Sequence, residues 1–174
     1  MPMKPMNAII PLPVSADSRV PVIDWQIAIA DPASLPDAAQ VEYWVAHALQ
    51  GHPPTELTIR IVEAAESAAL NERYRDKTGP TNVLSFPFDA PPGLPADVVL
   101  PLGDLVICAE VVAREAQAQG KPLAHHWAHI VVHGVLHLLG YDHIDDAQAR
   151  EMEALEIAIL RQLNIDNPYE VLPA

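Results

Sequence analysis

Sulfur chemistry is almost missing from this chain: one cysteine, Cys108, stands among 174 residues. A lone cysteine excludes an intrachain disulfide framework and a cysteine-rich metal site, and it fits a reducing compartment. Long hydrophobic runs are missing as well. No window approaches the roughly 18 consecutive apolar residues of a membrane-crossing helix. The start, MPMKPMNAIIPLP, has no uninterrupted apolar run of signal-peptide length. The expectation is a soluble cytoplasmic protein with no membrane partner. Positive charge is scarce, with Lys+Arg 10 against Asp+Glu 23 and a net charge of −13. Taken alone, that balance repels nucleic-acid phosphates.

What is present changes the reading. Half of the residues are hydrophobic, enough for a core, so wholesale disorder is excluded. At this length the chain is about one domain. The scarce cations are not spread evenly: Arg60, Arg73, Arg75 and Lys77 fall together, whereas the acidic residues gather after Asp142. A local positive strip on an acidic protein is therefore expected, with the acidic tail facing away from it.

Residues 1–21 read as a loose arm rich in Met and Pro, and 22–174 as the domain. Partial alternation marks 22–30 and clear alternation marks 56–63 as strands. Residues 81–88 and 102–108 read as two more. Helical patterns cover 34–49, 64–74, 109–120 and 123–139, with a last helix starting near Asp145. There Asp145 and Gln148 resemble a capping box. Met152, Leu155, Ile159 and Leu163 supply that helix's buried stripe. Residues 89–101 form a proline-rich loop. The order implies an α/β (α+β) fold: one small mixed four-stranded sheet packed against helices.

The stretch HIVVHGVLHLLGYDH, 129–143, carries the chemistry. His133 and His137 stand one turn apart on one helix face. Gly140 permits the turn that brings His143 back to the same ion. Neutral imidazoles suit zinc, and three protein ligands leave a fourth position open. The surrounding Ile, Val and Leu residues make this helix largely buried, and a shared metal relieves the cost of burying unpaired imidazoles. His125 and His129 continue the row and are expected to border the cleft or support the ligands. His126, His47 and His52 are expected to be solvated. Asp142 either orients an imidazole or caps the turn. The spacing H-x3-H-x2-G-x2-H is zincin-like, used by extended zinc-protease motifs. Those motifs place their general-base Glu after the first His, and here that residue is Gly134.

HGVLHLLGYDH resembles the signature of the YbeY family of metal-dependent endoribonucleases. LNERYRDKTGPTNVLSFPF (70–88), PLGDLVIC (101–108) and MEALEIAILRQL with the NPY ending extend the resemblance over roughly residues 22–170. It implies a single α/β domain hydrolysing single-stranded RNA. It further implies a part in ribosomal RNA maturation, notably at the 3′ end of the small-subunit RNA, and in ribosome quality control. Ribosomal RNA, the ribosome and small-subunit proteins are the expected partners, with no DNA. One Zn2+ per chain would be held by His133, His137 and His143. The family's important arginine falls on Arg75.

A phosphodiester cleaver must stabilise a crowded, negatively charged phosphate, and a guanidinium offers a planar fork of donors for it. Arg73 and Lys77 would steer the backbone electrostatically. Thr81, Asn82 and Ser85 carry small polar groups that either bind phosphate or 2′-OH or satisfy the strand edge. Either water or the RNA 2′-OH could attack the phosphorus, and the general base is unassigned. Two rival readings stand beside this one. One is a zinc metallopeptidase-like hydrolase, against which Gly134 argues. The other is a non-enzymatic ribosome-associated zinc protein, which needs a fourth ligand such as His129 or Asp142.

Overall fold

The computed structural model describes residues 21–53 and 55–170. Apart from Pro21, the expected N-terminal arm lies outside the described residues. The order is β1 (Val22–Ala28), α1 (Ala38–Ala48), β2 (Glu56–Val62), α2 (Ala64–Arg75), β3 (Val83–Pro87), β4 (Gly103–Cys108), α3 (Ala109–Gln119), α4 (Leu123–Leu138) and α5 (Asp146–Gln162). The strands form one mixed sheet in the order β1-β2-β4-β3. β1, β2 and β4 run parallel, while β3 runs antiparallel to β4. The expected α+β class and four-stranded mixed sheet are the observed ones. No helix among the described residues is long and apolar enough to cross a membrane.

Alternation sets which face each strand buries. Leu57, Ile59 and Ile61 of β2 join Leu105 and Ile107 of β4 in the main core, against α1, α4 and α5. Val106 and Cys108 point to the opposite face, where they pack with Val62, Leu84 and Val111, and with Leu70 of α2. Strand β4 is thus covered on both faces, and its continuous apolar run LVIC follows from that. Trp127, Val131 and Val135 bury α4 in the main core. Each such side chain stabilises the fold by about 1.5–3 kcal/mol, so rotating α4 would be costly.

Helix ends follow local chemistry. Asp37 caps α1, its carboxylate accepting from the Gln40 amide in a capping box. This sets the start of α1 four residues later than its apolar pattern suggests. Asp145 accepts from the Gln148 amide, but the Gln148 side chain accepts from the amide of Ile144, so the expected box is displaced by one residue. Helix α2 has little apolar surface. Its buried Ser67 and Asn71 instead hydrogen-bond Thr81 and the Gly79 carbonyl, strapping the following loop to the helix.

Gly103 opens β4 at φ +144, a backbone region that favours glycine. A Cβ there would collide with the Phe86 carbonyl and lie 2.9 Å from both Leu138 Cδ2 and Pro87 Cα. Two backbone neighbours cannot yield as a side-chain tip can. Gly103→Ala is expected to destabilise the protein by about 2–3 kcal/mol. That corresponds to a fall in Tm of roughly 5–10 °C, measurable by calorimetry; an unchanged Tm would contradict the close approach.

Candidate metal centre

Helix α4 sits on the sheet at Gly134, where an added Cβ would lie 2.8 Å from Leu105 Cδ2 and 3.4 Å from Val83 Cγ2. The Ser85 hydroxyl donates to the Gly134 carbonyl at 3.3 Å, joining β3 to the same turn. With Gly134 towards the sheet, residues 133 and 137 project roughly a quarter turn away. After α4, Gly140 turns the chain at φ +102, and the Tyr141 amide bonds back to the Leu136 carbonyl. His143 thereby returns to the same side.

One ligand atom from each of His133, His137 and His143 lies within 4.8 Å of the others. His133 Nε2 and His137 Nε2 are 3.1 Å apart. Bonds of about 2.0–2.1 Å in a tetrahedron would space two donors by about 3.3 Å, so the pair fits a shared small ion. Burial holds the His137 imidazole below its ordinary pKa, and the neighbouring His133 and His143 add to that. The neutral form is the one that ligates metal. The donor set suits a zinc-like cation on chemistry as well as on spacing.

Behind His133 lies a residue that motif spacing did not single out. Glu156 of α5 is only 1% exposed. Its Oε2 accepts from His133 Nδ1 at 3.1 Å and from His129 Nε2 at 2.9 Å. Its Oε1 accepts from the Tyr169 hydroxyl at 2.8 Å. Burial alone would raise the Glu156 carboxyl, yet the hydrogen bonds from His129 and His133 outweigh it and hold the pKa at about 2. Burial and the Glu156 charge raise the Tyr169 phenol, which stays a donor. The signal for Glu156 was in the sequence: it falls four residues after Met152, inside the apolar stripe of the last helix. A carboxylate on such a stripe is rarely buried unless paired.

The remaining candidates sort as follows. His129 and His125 line a cleft of about 290 Å3 with Lys121 and Asn167, and none of His133, His137 and His143 lines it. His126 is not solvated: it is 2% exposed, with Nε2 2.9 Å from Glu115, because the start of α4 packs against α3. Asp142 Oδ1 accepts from the His143 amide at 2.8 Å and lies 3.4 Å from His143 Nδ1, so it caps the turn more firmly than it orients the ring. Asn82 binds Glu115 and the Val83 amide, and Ser85 binds Gly134, so both serve local structure.

Arg73, Arg75 and Lys77 are exposed at the end of α2 and just beyond it. Arg73 lies over the Tyr74 ring, and Tyr74 packs edge-on against Phe86 of β3. The last turn of α2 is thereby pinned to the strand that borders α4. Arg60 belongs elsewhere, paired with Glu66 at 2.8 Å. Nor does the acidic tail face away as a whole, since α5 inserts Glu156 behind His133.

Residues 29–164 match the family model described as Endoribonuclease YbeY. The Endoribonuclease YbeY of Methylococcus capsulatus is 58% identical over 153 residues, spanning 87% of this chain and 99% of that protein. That of Chromohalobacter salexigens is also 58% identical over 153 residues, spanning 86% of this chain and 97% of that protein. A Thermotoga maritima protein solved in solution shares the fold, with a TM-score of 0.54 at 22% identity over 86% of this chain and 99% of its own.

The contact of Gly134 with Leu105 bears on the peptidase alternative. A glutamate at 134 would start against the sheet rather than beside the histidines. Gly134→Glu is expected to lower Tm by roughly 10 °C or more through overpacking and a buried carboxylate, and to gain no peptidase activity. A stable variant that cleaves casein would contradict this placement.

Proposed function

The chain belongs to the endoribonuclease YbeY family, and from that premise we propose that it is a zinc-dependent endoribonuclease specific for single-stranded RNA. His133, His137 and His143 hold one Zn2+, and Arg75 clamps the phosphate. The substrate is ribosomal RNA, cut during maturation of the small-subunit 3′ end and in ribosome quality control, in the cytoplasm. The observation that carries the reading is the convergence of three imidazoles at a site that opens to solvent on the His143 side, where that side chain is 56% exposed.

When bound, Zn2+ supplies Lewis-acid polarisation of a phosphoryl oxygen and acidifies water. The chain's own residues do the rest. His133 and His137 are fixed by a buried helix, so the site needs little reorganisation as negative charge develops. The Arg75 fork meets two phosphate oxygens at once. Arg73 and Lys77 attract the backbone before docking. Gly134 leaves no carboxylate at the position where a zinc peptidase carries its base. A closed structural zinc site would need a fourth protein ligand. His129 spends its Nε2 on Glu156 and Asp142 spends an oxygen on the His143 amide, which favours the open, catalytic reading.

Pure protein is expected to cut single-stranded but not duplex RNA, and to lose the activity to a chelator. Arg75→Ala should reduce kcat by on the order of 100-fold with zinc content unchanged. Water attack predicts cleavage of a substrate carrying 2′-deoxy at the scissile nucleotide. Inactivity there, together with 2′,3′-cyclic phosphate ends, would assign the attack to the RNA 2′-OH instead. Activity that survives metal removal would overturn the zinc mechanism.

A further inference from the structure

We propose that Glu156 is a positioning residue for the metal centre: its carboxylate fixes the tautomer and orientation of His133, and Tyr169 holds the carboxylate in place. The proposal rests on the reading of His133, His137 and His143 as zinc ligands and deepens it. An ionised carboxylate accepts hydrogen bonds and donates none. Every ring nitrogen facing Glu156 must therefore carry the proton. His133 Nδ1 lies 3.1 Å from Glu156 Oε2, so His133 is protonated at Nδ1 and bare at Nε2. That bare nitrogen is the one 3.1 Å from His137 Nε2, on the side where the three histidines converge. An imidazole that donates its other N–H to a carboxylate is a stronger and better oriented ligand.

The same oxygen settles the role of His129. Its Nε2 donates to Glu156 at 2.9 Å, and its Nδ1 is buried without a partner. His129 therefore supports the carboxylate and is not a fourth ligand. One ligand atom each from His129, His133 and Glu156 also lies within 4.8 Å of the others. An ion among them would have to displace both protons and claim the second nitrogen of His133. Hydrogen bonds of ordinary length already occupy the atoms of that trio that face one another, so it acts as support for the first site. The Tyr169 hydroxyl closes the set by donating to Oε1 at 2.8 Å. The segment 167–170, beyond α5, is thereby tied to the back of the centre.

The test uses the full chain and two readouts other than RNA cleavage. The first is long-range 1H–15N spectroscopy of the metal-free protein at about pH 8, where histidine is ordinarily neutral. Wild type should show His133 as a single Nδ1–H tautomer, Glu156→Ala a mixture, and Glu156→Gln the wild-type pattern, because the amide oxygen still accepts. The second is Zn2+ affinity, measured by competition with a chromogenic chelator. Glu156→Ala should weaken it by about 10–100-fold, and Glu156→Gln and Tyr169→Phe by on the order of 5-fold. Should Glu156→Ala fail to fold by thermal melting, the Gln and Phe variants decide. Folded variants that bind zinc as tightly as wild type, or a mixed His133 tautomer in wild type, would overturn the proposal. Wild type that binds no zinc, or His137→Ala that binds it undiminished, would instead sink the ligand assignment itself.

Discussion

The seat of α4 on the sheet is the constraint from which the site follows. Gly134 brings the helix backbone close enough to β4 that even a methyl group would strike Leu105. The missing side chain lets the helix sit low over the side-chain tips of Leu105 and Val83. Trp127, Val131 and Val135, buried beside it, fix its rotation. Close-packed interiors move in discrete steps rather than by gradual deformation. The imidazoles on the free flank are thus placed by a core that would lose several kcal/mol if the helix turned. The residue that removes a peptidase base is also the residue that sets the geometry, so the altered chemistry and the packing have one cause.

Four histidines, at 126, 129, 133 and 137, lie along one flank of α4, yet they are not equivalent. Carboxylates beneath the row divide it. Glu115 of α3 takes His126, and Glu156 of α5 takes His129 and also backs His133. Side-chain exposure rises from 13% at His129 to 23% at His133 and 56% at His143. The inner members satisfy buried charge, while His133 and His137 converge with His143 beyond the helix. An isolated buried carboxylate would be protonated or destabilising. Here its hydrogen bonds to two imidazoles keep it ionised, and its ionisation in turn dictates where their protons sit.

Much of this was readable from residue order. Alternation marked the strands at 22–30 and 56–63, and 81–88 and 102–108 read as two more; that LVIC is covered on both faces emerges only from the packing. The triple histidine spacing survived because i, i+4 geometry and a glycine turn are local rules. What escaped depended on long-range packing. Nothing near His126 indicates that α3 will deliver Glu115, eleven residues upstream, so His126 read as solvated. Glu156 stands on an apolar stripe, a local anomaly, but its partners lie 23 and 27 residues away on another helix. The pattern over 34–49 runs through Asp37, and only its hydrogen bond to the Gln40 amide shows that residue to be the cap and Ala38 the start of α1.

The acidic character of the chain looks ill-suited to RNA until charges are placed rather than summed. At physiological ionic strength, fields between exposed charges fade beyond about 8 Å, so a phosphate responds to its immediate neighbours. Glu156 is buried behind His133 rather than exposed beside the cations of α2, and a bound divalent ion would offset its charge. Asp142 spends an oxygen on the His143 amide. Arg73, Arg75 and Lys77, by contrast, are exposed within five residues at one end of α2. With only three such cations in that strip, few counterions would be released on binding, and the salt dependence of binding would be shallow for a nucleic-acid enzyme. Selectivity would then have to come from the shape of the cleft and from the metal centre rather than from charge.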